Sequence, residues 1–130
     1  MPPESSKGFI RFGLVGVVNT AVDLGIFALL YRAAGLEPLL ANGIAFFIAV
    51  TNSYLMNHYW TFRRPGTSIS FSAYIRFVVV NIGGLLIGTL AILMLGKLMP
   101  LEFAKLIAAG ITLIWNYTSS KLFVFNTEKQ

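Results

Sequence analysis

From Phe12 to Leu30 the chain carries one acidic residue and no basic one, a run of ~20 residues that matches the hydrocarbon thickness of a bilayer in helical form. Three more apolar runs of similar length follow it, separated by short polar connections. Hydrophobic residues make up 56% of the 130 and charged residues only 12%, with a mean hydropathy of +0.74. An ordinary soluble domain is thereby excluded, and the bilayer is the main solvent.

These runs predict an all-α, polytopic membrane protein in one domain covering residues 1–130, with four transmembrane helices at 12–31, 39–61, 74–96 and 103–125. Gly35 and Pro38 break the chain after the first helix, the segment from Arg63 to Ser70 forms the longest loop, and Pro100 marks the last turn. Residues 1–8 read as a mobile polar tail without a cleavage pattern, which keeps the first apolar run in the mature protein. Lys7, Arg11, Arg63, Arg64, Arg76, Lys121 and Lys129 fall on the side of the termini and central loop; Arg32, Lys97 and Lys105 fall on the other. Basic residues stay inside, so both termini are expected in the cytoplasm. The net charge of +5 is accordingly read as orientation and lipid-headgroup contact, not as a nucleic-acid surface.

The two halves resemble each other. Ile10-Arg11-Phe12 recurs as Ile75-Arg76-Phe77 at an offset of 65, while Tyr54 and Phe62 recur as Tyr117 and Phe125 at an offset of 63. Trp60 falls opposite Phe123, and Asn57 opposite Ser120. Each half holds two helices, so the halves form a parallel two-helix repeat related by an axis along the membrane normal. Shared features of any two membrane hairpins are the plainer account of the same matches.

Several polar side chains are costly in lipid and call for a reason. Asp23 stands twelve residues after Arg11, about 18 Å along a helix, with Asn19 one turn before it. It suits a proton- or cation-coupling carboxylate, or alternatively a structural bond between helices. Arg11 and Arg76 open a helix in each half; a guanidinium offers a planar fork to phosphate oxygens, while snorkelling to the interface is the competing role. Lys105, near the start of the fourth helix, either meets lipid headgroups or pairs with Glu102. Ser53, Asn57 and Trp60 share one helix face, as do Asn116, Ser120 and Phe123. Carboxamides there can satisfy each other or contact sugar hydroxyls, and Trp60 and Tyr59 can stack on a pyranose or simply form an interfacial belt. Gly84 and Gly88 form a small-residue pair suited to close helix packing. His58 reads as interfacial. With no cysteine and a single histidine, neither a disulfide nor a metal-ligand set is expected, nor is a cofactor, and nothing resembles a catalytic set.

The pattern Ile10-Arg11-Phe12, Gly16, Asn19-Thr20, Asp23, then Asn57, Trp60 and Phe62, then Tyr74, Arg76-Phe77, and finally Asn116-Tyr117 with Lys121 and Val124-Phe125, resembles the GtrA-like family of four-span membrane proteins. That resemblance covers Phe9 to Phe125. It implies a bacterial cytoplasmic-membrane protein, not itself an enzyme, that moves polyprenyl-phosphate-linked sugars for cell-surface polysaccharide or wall-polymer glycosylation, often beside a family-2 glycosyltransferase. Asn57, Trp60, Phe62, Arg76, Asn116 and Lys121 are the positions it maps to this chain, with Lys105 near a further basic position.

The expectation is a lipid-linked sugar flippase in which Arg76, with Arg11 or Arg63, holds the phosphate while Asn57, Asn116 and Trp60 line a path for the sugar. Two other readings stay open: a proton-coupled exporter of the small multidrug type using Asp23, and an anchor that recruits a glycosyltransferase without transporting. Four short spans enclose little volume, so a homodimer or higher oligomer is expected if sugar passes through protein.

Overall fold

A computed structural model describes residues 2–63, 66 and 68–125, except the side chains of residues 2–6 and of Glu102. Arg64, in the predicted basic loop, and Lys129 lie outside these residues. The chain divides into two units, Met1–Pro65 and Gly66–Gln130. Each is a helical hairpin, and among the described residues there is no strand.

The first hairpin begins with α1 (Pro2–Ala28), which continues into a π-helical turn at Leu29–Ala33. Residues 2–8, expected to be a mobile tail, are helical instead. Proline suits the first turn of a helix, where its missing N–H has no partner to lose. Gly35 at φ 74° reverses the chain, a conformation open to glycine at no steric cost. Pro38, expected as a breaker, opens α2 (Pro38–Met56), which itself ends in a π-helical turn at Asn57–Thr61.

One face of α2 carries Ala41, Ala45, Ala49, Ser53, Asn57 and Thr61 at every fourth position, all at most 8% exposed. Small side chains on that row let α1 approach closely, and Phe12 and Val15 of α1 are buried at 6% and 1%. A spacing of four advances ~40° beyond a full turn at 3.6 residues per turn, so the row drifts around an ideal helix. The π turn winds less per residue and brings Asn57 and Thr61 back to the packed side.

The second hairpin repeats this plan. Its α3 (Phe71–Leu95) starts three residues before the expected position, because the Ser70 hydroxyl caps it by accepting from the Ala73 N–H at 3.1 Å. Its partner α4 (Leu101–Ser119), entered from Pro100, ends in a π-helical turn at Ser120–Phe125. Ala104, Ala108, Thr112, Asn116, Ser120 and Val124 again stand four apart. The two alanines, Ser120 and Val124 are all but fully buried. Each lies 63 positions after its counterpart on α2.

Among the described residues, three helices are long and apolar enough to cross a membrane: Lys7–Ala33, Pro38–Thr61 and Phe71–Leu95. The segment Leu101–Phe125 is of similar length, but Lys105, Asn116, Ser119, Ser120 and Lys121 make it more polar.

Candidate functional site

The end of each hairpin where the first helix begins and the second helix finishes gathers most of the predicted polar residues. Four main-chain carbonyls at the end of any helix lack intrahelical partners. In the first hairpin Arg11, on α1, donates Nη1 to the Trp60 carbonyl at 3.3 Å and stacks its guanidinium over the Trp60 ring at 5.3 Å. In the second, Arg76 donates Nε to the Phe123 carbonyl at 2.7 Å and Nη1 to the Ser72 hydroxyl at 2.5 Å. Next to each arginine, one aromatic ring meets another edge to face: Phe12 with Phe62 at 6.0 Å, and Phe77 with Phe125 at 5.9 Å. Offsets of 65 on the first helix and 63 on the second therefore connect residues making the same contacts, which generic hairpin similarity does not require.

The carboxamides occupy this end without being matched one to one. Asn57 is fully buried and donates Nδ2 to Ser53 Oγ at 3.3 Å, while its Oδ1 has no hydrogen-bond partner. Thr61, one turn on, likewise keeps a buried Oγ1 without a partner. Ser120 takes the place of Asn57 in the second hairpin and has a buried hydroxyl in the same condition. Asn116, the counterpart of Ser53, sits deeper; its Oδ1 is buried, unpartnered, and packed where a side chain on Gly84 would have to go.

That glycine pairing explains the small-residue signal on α3. Gly83 lies under the Trp115 ring, Gly84 under Asn116, and Gly88 under the Thr112 hydroxyl. Thr112 also donates to the Gly84 carbonyl at 3.3 Å, and Trp115 donates Nε1 to the Val80 carbonyl at 2.9 Å. By the offset of 65, Gly84 and Gly88 correspond to Asn19 and Asp23 of α1. The polar side chain at these depths thus comes from the second helix in one hairpin and from the first helix in the other. Asn19 Oδ1 is again buried and unpartnered, and Asp23 is half-buried.

Other predicted residues lie apart. Lys121 is half-buried with its ammonium over the Tyr117 ring at 5.8 Å, near Arg76 along the same end. Lys105 is exposed near the start of α4, at the opposite end of the hairpin from Arg76, and the side chain of Glu102, the alternative to lipid headgroups as its partner, lies outside the described residues. Trp60 is 40% exposed and Tyr59 60%, as an outward aromatic belt requires. His58 is buried beside Tyr54 and Tyr59 rather than facing an interface, because the π turn rotates it inward. Thr61, Thr112 and Trp115 were missed; the four-residue row would have flagged the first two.

Among the described residues no group of His, Asp or Glu could hold a metal ion. The arrangement offers fixed guanidinium forks at one end of each hairpin and unsatisfied acceptors and hydroxyls just inside them. Guanidinium forks have the donor geometry for phosphate oxygens, and acceptors and hydroxyls beside them have the chemistry for neighbouring hydroxyl groups.

Known proteins are similar to this chain over nearly its whole length. The chain is 28% identical over 124 residues to the bactoprenol-linked glucose translocase of Shigella phage SfV, covering 95% of this chain and 98% of the relative. The protein of the same name from Shigella phage SfX is 26% identical over 123 residues, with the same coverage. An uncharacterized membrane protein of Bacillus subtilis, YngA, is 31% identical over 127 residues, covering 94% of this chain and 82% of the relative. The family model described as GtrA/DPMS, transmembrane domain, matches residues 11–125, and a multi-pass membrane protein matched over nearly its whole length in this way belongs to the GtrA/DPMS transmembrane domain family.

Proposed function

We propose that this protein is a translocase that carries a polyprenyl-phosphate-linked sugar across the bacterial cytoplasmic membrane for glycosylation of a surface polysaccharide or wall polymer. The chain crosses four times, with Leu101–Phe125 as the fourth span and both termini inside, following the seven-to-three division of Lys and Arg. Relatives named as bactoprenol-linked glucose translocases over nearly their full length support the substrate class. The observation that carries the reading is the recurrence, in both hairpins, of an arginine fastened at the helix ends with a buried, unpartnered polar atom close inside it.

Arg76 and Arg11 receive the phosphate, and Lys121 adds charge at the same end. Asn57, Asn116 and Trp60 meet the sugar, while Lys105 attracts the headgroup at the opposite face. Asp23 with Asn19 couples the movement to a cation or proton. A homodimer and a neighbouring family-2 glycosyltransferase complete the assembly. Reconstituted into liposomes, the wild-type chain transfers a labelled polyprenyl-phosphate glucose between leaflets, and Arg76→Ala and Asn57→Ala variants that remain folded do not. Unchanged transfer by both variants overturns the assignment.

A further inference from the structure

The two hairpins differ where their repeat is otherwise closest. Beside Arg76 the second hairpin has a cavity of ≈ 410 Å³ whose walls include Val79, Gly83, Trp115, Ser119 and Phe123. Gly83 lets the indole wall pack close: the Trp115 ring lies 3.1 Å from where a Cβ would stand, and the indole N–H is anchored to the Val80 carbonyl at 2.9 Å. The counterparts of Gly83 and Trp115 in the first hairpin are Val18 and Asn52. A cavity of ≈ 320 Å³ there, beside Trp60, is bounded by Leu55, Met56 and Tyr59 and does not reach Arg11.

From the Proposed function reading, on which this rests, we infer that the groove beside Arg76 is the seat of the phosphate-proximal isoprene units of the polyprenyl carrier. Its walls are apolar apart from Arg76 and Ser119, and the indole N–H is already satisfied. Arg76 places a cation at one end, and the groove runs from there to Gly83, seven residues or ~10 Å along α3. A phosphate at the guanidinium thus directs its attached chain along Val79 toward Trp115. Val79 and Phe123 are 61% and 59% exposed, so the groove opens sideways and a chain can enter laterally.

Hydrophobic transfer contributes little to this, since the carrier's tail already lies in hydrocarbon. What the groove supplies is shape. A flat indole, a phenyl ring and a β-branched valine suit a single methyl-branched, unsaturated chain better than the paired acyl chains of a glycerophospholipid. The headgroup charge alone is shared by many lipids, so the groove is what makes the protein choose the carrier. The first hairpin has Val18 and Asn52 at the same positions, and the cavity beside its Trp60 does not extend to Arg11.

The test uses the full chain in nanodiscs of phosphatidylethanolamine and phosphatidylglycerol, with a polyprenyl monophosphate bearing a diazirine on its second isoprene unit. Labelling is expected in peptides containing Val79 or Phe123, competed by unlabelled polyprenyl phosphate and not by dioleoyl phosphatidic acid. Val79→Trp should weaken competition about tenfold, and Leu14→Trp, its counterpart on α1 at 51% exposure, should leave it within about twofold. Both positions face outward, so neither substitution disturbs the packed rows. Saturable binding that Val79→Trp leaves unchanged overturns the groove while the translocase reading stands. Equal competition by phosphatidic acid overturns it too, as a general anionic-lipid seat. No saturable binding of polyprenyl phosphate to the wild-type chain removes the groove and the translocase reading together.

Discussion

Arg76 donates its Nε to the main-chain carbonyl of Phe123 at 2.7 Å, joining the first turns of one helix to the last turn of its neighbour. Arg11 and Trp60 form the same link in the other hairpin. Because the acceptor is a carbonyl at a helix end, where backbone partners run out, the bond both closes the hairpin and holds the guanidinium in one orientation. On the proposed reading, a phosphate arriving there would meet a guanidinium already oriented, which adds geometric specificity to charge.

A lysine at position 76 keeps the charge and loses the Nε donor and planar fork. Arg76→Lys is therefore expected to fold and to lower transfer of lipid-linked sugar by roughly 10- to 100-fold, in keeping with about 1.5–3 kcal/mol for a charged hydrogen bond. Leaflet-to-leaflet transfer rates in proteoliposomes check this; a Lys variant as fast as wild type means that charge is sufficient.

The Gly84 and Asn116 pair sets up a double-mutant cycle. A methyl group on Gly84 would collide with the Asn116 carboxamide, and overpacking of this kind costs about 1–3 kcal/mol. Gly84→Ala should lower the thermal midpoint in detergent, and adding Asn116→Ala should recover most of the loss, since the two residues share the same space. Additive losses would mean that the crowding is relieved by some other movement.

Much of this was open to sequence reading, and the exceptions have physical causes. Arg11-Phe12 and Arg76-Phe77 stand out because arginines are rare beside apolar runs, so the repeat could be seen. Their acceptors could not, since a main-chain carbonyl carries no residue identity. The π turns at Asn57–Thr61 and Ser120–Phe125 were missed because no composition separates them from ordinary helix. The rows from Ala41 to Thr61 and from Ala104 to Val124 were seen only in part, as a period of four departs from the helical 3.6 unless the backbone unwinds to follow it. Helix starts at Pro2 and Phe71 were placed late, since polar capping turns lack apolar periodicity.

Asn57 separates stability from function. Its Oδ1 is buried without a partner, and such a group costs about 1–3 kcal/mol. Asn57→Leu, which keeps the branching and the number of side-chain heavy atoms, should leave the thermal midpoint unchanged or raise it, while transfer falls at least tenfold, about 1.4 kcal/mol in the barrier. A drop in both would assign Asn57 to holding the hairpin together.

Asp23 tests whether the transport is driven. Its counterpart on α3, 65 positions later, is Gly88, which makes room for Thr112, whose own counterpart is Ala49 in the row of small residues on α2. Small residues in that row would accommodate an uncharged side chain just as well. An ionised carboxylate at this depth costs roughly 2.5–3.5 kcal/mol on insertion scales, so retaining an acid in place of the glycine points to a use for its charge. Asp23→Asn preserves size and hydrogen bonding and removes the ionisation. Transfer in liposomes without a gradient is expected to stay within about twofold of wild type, about 0.4 kcal/mol, while acceleration by an imposed pH or sodium gradient disappears. If the Asn variant responds to gradients as wild type does, or wild type responds to none, Asp23 is a packing residue and the carrier moves by equilibration alone.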